Sequence, residues 1–286
     1  MAMQVRPLSF ALGAEVIGID LTASIDAATA KQLRELWLEH SVLLFRGQIL
    51  SPQQQIAFSR GFGELDRHEA LIHYRHPEFP EIFVVSNRKV DGKMSETKDT
   101  GREWHIDLSF TLHPSMGSLL HCVEIPPAGG TTLWASMYAA YDALSPKLQS
   151  VLEGLSAVHD ISIARGFTRH APEIVADMRK RNPPVVQPMI RIHEESGRKA
   201  LYMTEWIRCF DGMTEDESQP ILKMLLEHAT RPEFNYRHTW KPGDLIMWDN
   251  RCTMHLAPPD YRHATTRHMH RTTLLGSPSG HIYAEE

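Results

Sequence analysis

The stretch "DLIMWDNRCTMHLA", residues 244–257, reads as two strands meeting at a polar turn. The first strand runs into Asp249-Asn250, and the second, "CTMHLA", carries His255. The same punctuation continues on both sides. "EFNYRHTW" (233–240) precedes it and "HMHRTTLLG" (268–276) follows, and both are strand-like. Toward the N-terminus, strands are expected in "EVIGIDL" (15–21), "SVLLFRG" (41–47), "EIFVVSN" (81–87), "SMGSLLHCVEI" (115–125) and "TTLWAS" (131–136). "MIRIHEESGRKALYM" (189–203) reads as a hairpin turning at Ser196-Gly197. Helices are fewer. Residues 26–40 set Leu33, Leu36, Trp37 and His40 at helical spacing behind an Asp26 N-cap, and residues 51–63 open with Ser51 and Pro52 at N-cap and N1. Two more helical stretches fall in 137–155 and one in 215–230. Many short strands with few helices predict a mainly β fold with flanking helices. A double-stranded β-helix, or jelly roll, fits best, because its mouth can hold a metal and a small ligand. No repeat or linker divides the chain, so residues 1–286 are expected to form a single domain. The polar stretch 88–103 and the basic stretch 161–184 read as lid segments.

Composition excludes several classes of function. The chain has 286 residues, 42% hydrophobic and 23% charged, the profile of an ordinary globular protein. A net charge of −5 argues against nucleic acid as a partner. No apolar run approaches the roughly 20 residues of a membrane span, and "MAMQVRPLSF" is not a secretion signal. Three widely spaced cysteines, Cys122, Cys209 and Cys252, suit a reducing cytoplasm and form no zinc-knuckle pattern.

"WHIDLSF" (104–110) places His105 and Asp107 two apart between bulky apolar residues. On a strand both side chains point the same way, with Cα atoms about 6.5 Å apart. That spacing suits two corners of a 2-His-1-carboxylate triad, and it equally describes an ordinary buried, hydrogen-bonded pair. The same pattern at His76-Pro77-Glu78 and His193-Glu194-Glu195 lies in turn-like contexts. His255 is a candidate third ligand, or a strand histidine satisfied by a neighbour. In "TRHMHRTTLLG" (266–276), Arg267 and Arg271 share a face and stand about 13 Å apart. Inside a barrel each would need an anion; on a solvated face neither would.

Together these segments carry a resemblance. "LGAEVIGIDL", "VLLFRGQ", "QQQIAFSRGFGEL", "WHIDLSF", "PPAGGTTLWASMYAAYDALS", "GDLIMWDNRCTMH" and "HMHRTTLLG" resemble the taurine/2,4-D dioxygenase (TauD/TfdA) family of Fe(II)- and 2-oxoglutarate-dependent oxygenases. The resemblance implies that His105, Asp107 and His255 bind iron. It implies that Thr132 and Arg267 hold the 2-oxoglutarate carboxylate, and that Arg271 lies near the metal and meets the substrate's acidic group. It implies reaction with O2 that yields succinate, CO2 and a hydroxylated organic acid. The presence of Asp107 favours hydroxylation over halogenation.

The substrate pocket departs from the taurine pattern. His68 matches a histidine that contacts the sulfonate, but Leu71 stands where a tyrosine is expected. Gly101 replaces an asparagine, Phe167 keeps a phenylalanine and Ile207 replaces another. Fewer polar donors predict a larger, less polar carboxylate, sulfonate or aryloxyalkanoate rather than taurine. A taurine or alkylsulfonate dioxygenase proper, a zinc hydrolase and a non-catalytic cupin-like binder of metal and 2-oxoglutarate are the competing readings. A homo-oligomer in the cytoplasm is the expectation.

Overall fold

A computed structural model describes residues 3–90, 93–94, 101–168, 172–261 and 265–284. Its organisation follows from period-two alternation in the central strands. Val42, Leu44, Leu120, Cys122, Ile246, Trp248 and Met269 pack on one face of the largest sheet, with Trp134 and Trp240 opposite them. Leu43, Phe45, Leu119, Leu245 and Met247 pack on the other face, against Leu33, Trp37, Ile56 and Phe58. The first face meets a second sheet and the second face meets two helices.

Among the described residues the large sheet has seven strands. Their order is Gln4–Pro7, Ala14–Ile17, Val42–Phe45, Leu245–Asp249, Ser115–Glu124, His268–Leu275 and Phe83–Ser86. Pairing is antiparallel except between Ala14–Ile17 and Val42–Phe45. The facing sheet orders Asn235–His238, Thr132–Ser136 and Thr253–Leu256. Its register sets His255 opposite Trp134 and Met254 opposite Ala135. His255 therefore points between the sheets, while Met254 joins a third cluster beneath helix Glu215–Ala229. This is the expected jelly roll with helices outside.

Helix Ala27–His40 begins where Asp26 accepts the Thr29 N–H, and helix Pro52–Arg60 carries a Ser51/Gln54 capping box. The sequence reading fails at 104–110, which is not a strand. His105 makes only an isolated antiparallel bridge to His255, and residues 107–110 form a turn. Leu108 sits in that turn at φ 55°, a left-handed conformation that an extended strand cannot contain. "EVIGIDL" is also cut short: the strand stops at Ile17, before Gly18 turns the chain at φ 88°. The expected lids fall partly outside the described residues, at 91–92, 95–100 and 169–171. The described part of the second holds a short 3-10 turn, Ile161–Ile163, and helix Pro172–Arg181. No helix among the described residues is long and apolar enough to cross a membrane. The three cysteines are buried and free.

Candidate active site

Two backbone hydrogen bonds, His105 N to His255 O at 2.9 Å and His255 N to His105 O at 2.8 Å, bring the two imidazoles together. Their ring centroids lie 3.9 Å apart. The turn after His105 then folds Asp107 back between them. His105 Nε2 is 3.9 Å from Asp107 Oδ1, and His255 Nε2 is 3.9 Å from Oδ2. These distances are too long for hydrogen bonds, and the ligand atoms all lie within 4.8 Å of one another. His105 Nδ1 is 2.7 Å from the Glu103 carbonyl, which fixes the proton there and leaves Nε2 as a lone pair. Two imidazole nitrogens and a carboxylate, their atoms within 4.8 Å of one another, are the donor set of a facial triad, so the residues fit a divalent metal.

The electrostatics agree. Burial lowers the basicity of both imidazoles, so they are neutral, as ligands must be. Burial alone would raise the Asp107 carboxyl. The Arg271 guanidinium, helped by the Ser118 hydrogen bond, holds it well below the usual carboxylate range. Arg271 Nη1 lies 2.5 Å from Asp107 Oδ1, and its guanidinium lies over the Phe83 ring. Ser118 Oγ donates to Asp107 Oδ2 at 2.7 Å.

Arg267 lies deeper between the sheets, 4% exposed, with no carboxylate in ion-pair contact among the described residues. It donates to the Gly130 carbonyl at 3.2 Å and to Thr132 Oγ1 at 3.4 Å, both neutral acceptors. Trp240 Nε1 donates to the same Thr132 hydroxyl at 2.9 Å. A buried guanidinium met only by neutral groups is costly until an anion arrives. Arg267 and Thr132 thus fit a carboxylate group.

A pocket opens over His105 and Asp107. Leu71 and Phe167 line it, together with Gly101, Leu108, Phe110, Trp206 and Arg271. The other two expected substrate residues lie elsewhere. Ile207 is buried in the core with Phe210 and Ala157, and Trp206 takes the pocket position. Trp206 ends the turn at 205–206 and Ile207 begins strand Ile207–Phe210, so a one-residue offset exchanges core for pocket. Trp206 is pinned by its indole N–H to Ser109 Oγ at 2.9 Å. His68, just before the 3-10 helix Glu69–Tyr74, does not line the pocket. It is 1% exposed, at φ 56°, with Nδ1 3.2 Å from Asp66. Its ring meets the edge of Phe83, so it braces a pocket wall from behind.

Sequence reasoning missed Glu103. Its carboxylate lines the pocket and accepts the Arg165 N–H at 2.8 Å. The Arg165 guanidinium lies 3.5 Å from Glu103 and 3.4 Å from Glu205, and Glu205 accepts the Trp104 N–H at 2.7 Å. This clasp holds Ala164, Gly166 and Phe167 over the pocket. Only the polar interruption "GRE" before Trp104 hinted at it.

The fold and the donor set define a class: a jelly-roll protein with a candidate mononuclear metal centre between its sheets. The family model "Taurine catabolism dioxygenase TauD, TfdA family" matches residues 4–273, and the chain belongs to that family. It is 38% identical, over 96% of this chain and 98% of the relative, to the alpha-ketoglutarate-dependent 2,4-dichlorophenoxyacetate dioxygenase of Cupriavidus pinatubonensis. It is 32% identical to the (S)-phenoxypropionate/alpha-ketoglutarate-dioxygenase of Sphingobium herbicidovorans, over 97% of this chain and 96% of the relative. The crystal structure of AAD-2 in complex with Mn(II) and N-oxalylglycine superposes with a TM-score of 0.88 at 32% identity, covering 98% of this chain and 100% of that one.

Proposed function

We propose that this protein is an Fe(II)- and 2-oxoglutarate-dependent dioxygenase that hydroxylates an aryloxyalkanoate or a similar apolar organic acid. The observation that carries the reading is the convergence of His105, Asp107 and His255 on one point. Bound ferrous iron, 2-oxoglutarate and O2 would supply the oxidising chemistry, giving succinate, CO2 and a hydroxylated carbon.

The chain's own residues do the rest. His105, Asp107 and His255 hold the metal through two neutral nitrogens and one anionic oxygen. Arg267 and Thr132 receive the far carboxylate of 2-oxoglutarate. The guanidinium suits a planar carboxylate, and burial strengthens the pairing. Arg271 faces the pocket and anchors the substrate's acid group. Leu71, Leu108, Phe110, Phe167 and Trp206 form an apolar wall for the body of the substrate and exclude water from it. The segment around Phe167, clasped by Arg165, serves as a lid. When hydroxylation falls beside an ether oxygen, the product collapses to an aldehyde and a phenol.

Leu71 brings no hydroxyl to this wall, which disfavours a small polar sulfonate. Purified protein with Fe(II), ascorbate and 2-oxoglutarate should form succinate with phenoxyacetates and far less with taurine. His255→Ala should abolish it. Succinate with no member of a panel of aryloxyalkanoates, sulfate esters and sulfonates would refute the reading. So would turnover supported equally by Zn(II).

A further inference from the structure

A line of buried polar side chains runs behind Asp107. Trp248 Nε1 lies 3.0 Å from Asn250 Oδ1. Asn250 Nδ2 lies 2.9 Å from Ser115 Oγ and 3.1 Å from Ser118 Oγ. Ser118 Oγ lies 2.7 Å from Asp107 Oδ2. Asn250 and Ser118 are fully buried, so water cannot substitute for any link.

The direction of every proton follows from valence. An indole nitrogen only donates, so Asn250 must present its carbonyl oxygen to Trp248. The same oxygen accepts the Asp107 backbone N–H at 3.4 Å. The Asn250 amide nitrogen is thereby turned toward the two serines, and both must accept. Ser115 sends its own proton to the carbonyls of Gly117 at 3.0 Å and Leu274 at 3.2 Å. Ser118 has one proton left to place, and the ionised carboxylate of Asp107 takes it. No link can be reversed without stranding a buried donor.

We infer that Trp248, Asn250 and Ser118 form a one-way hydrogen-bond relay that fixes the Asp107 carboxylate as a metal ligand. The inference rests on the reading of His105, Asp107 and His255 as ligands. Ser118 holds one oxygen while Arg271 holds the other, so the carboxylate plane cannot rotate. Asn250 and Ser118 are positioning residues: they touch neither metal nor substrate.

The test is Co(II) binding to the full chain, read by tryptophan fluorescence and by the visible ligand-field bands of cobalt. Ser118→Ala removes the last link. Asn250→Asp leaves no donor at that position, so Ser118 turns its proton to the new carboxylate and away from Asp107. Each variant should weaken Co(II) binding by roughly 10- to 100-fold and shift the bands. Links in series are not additive, so the double variant should bind no more weakly than the worse single one. Affinities within twofold of the parent with unchanged bands, while His255→Ala loses binding, would overturn the relay. Fully additive losses would overturn it too. If His255→Ala binds like the parent, the ligand reading itself is wrong and the relay falls with it. Should Asn250→Asp fail to fold, Ser118→Ala alone decides.

Discussion

At Gly101 the backbone takes φ 76°, and a Cβ there would stand 3.2 Å from Cε1 of His105. Two costs therefore meet in Gly101→Ala. The left-handed backbone costs an L-residue about 1–2 kcal/mol, and the added methyl presses on the His105 imidazole. Gly197 separates the two, since it has φ 69° with nothing within 4 Å of a Cβ. Both alanine variants should lower the melting temperature, and only Gly101→Ala should weaken Co(II) binding. Equal metal affinities in the two would show that His105 does not feel the contact. Arg267 makes a different prediction. Arg267→Gln keeps hydrogen-bonding capacity but removes the charge that a carboxylate would meet. A charge-assisted bond is worth about 1.5–3 kcal/mol, so 2-oxoglutarate binding should weaken by roughly ten- to a hundredfold. Isothermal titration of the metal-loaded protein reads it, and an unchanged Kd would remove Arg267 from the site.

Two strands end in buried titratable groups whose effect on stability has a definite sign. Strand Ser156–His159 ends in His159, whose ring nitrogens have no hydrogen-bond partner among the described residues. Burial pushes its pKa from 6.5 down to about 3. The unfolded chain takes up that proton below about pH 6.5 and the folded chain does not until about 3, so stability falls with pH across the interval. His159→Phe should move the acid-unfolding midpoint, followed by circular dichroism, to lower pH. An unmoved midpoint would show that His159 is already hydrated. Strand Leu245–Asp249 ends in Asp249, where burial is outweighed by Arg251 and His193 and the pKa lies at about 2 against an ordinary 3.8. Its contribution is complete above about pH 4 and vanishes as the pH falls toward 2. At this scale the sequence was informative where a short apolar run is bounded by polar residues and turn signals. The strands in 41–47, 115–125 and 244–257 showed themselves as such runs, and period-two alternation then shares their side chains between two cores. "WHIDLSF" misled because its apolar residues imitate a strand, although the Leu108 turn breaks it. Asn250 and Ser118 were invisible, because nothing periodic marks two polar residues that meet across 132 positions.

On the scale of the whole molecule, the pocket wall decides what is oxidised. Trp206 stands 5.2 Å, centroid to centroid, from His105 and closes one side. Trp206→Ala should shift selectivity toward bulkier aryl acids, read as the ratio of kcat/KM for naphthoxyacetate over phenoxyacetate. A ratio unchanged from the parent would place the aryl group elsewhere. The convergence of His105, Asp107 and His255 was legible in the sequence through its motifs. The wall was only half legible, because Trp206 and Ile207 exchange roles through a single step of register that no local pattern fixes. The order of strands has a further consequence, for biosynthesis. His268–Leu275 follows Phe83–Ser86 and Ser115–Glu124 in the sequence yet lies between them in the large sheet. While the nascent chain leaves the ribosome, both of those strands expose bare edges until residue 275 emerges, which invites self-association and chaperone capture.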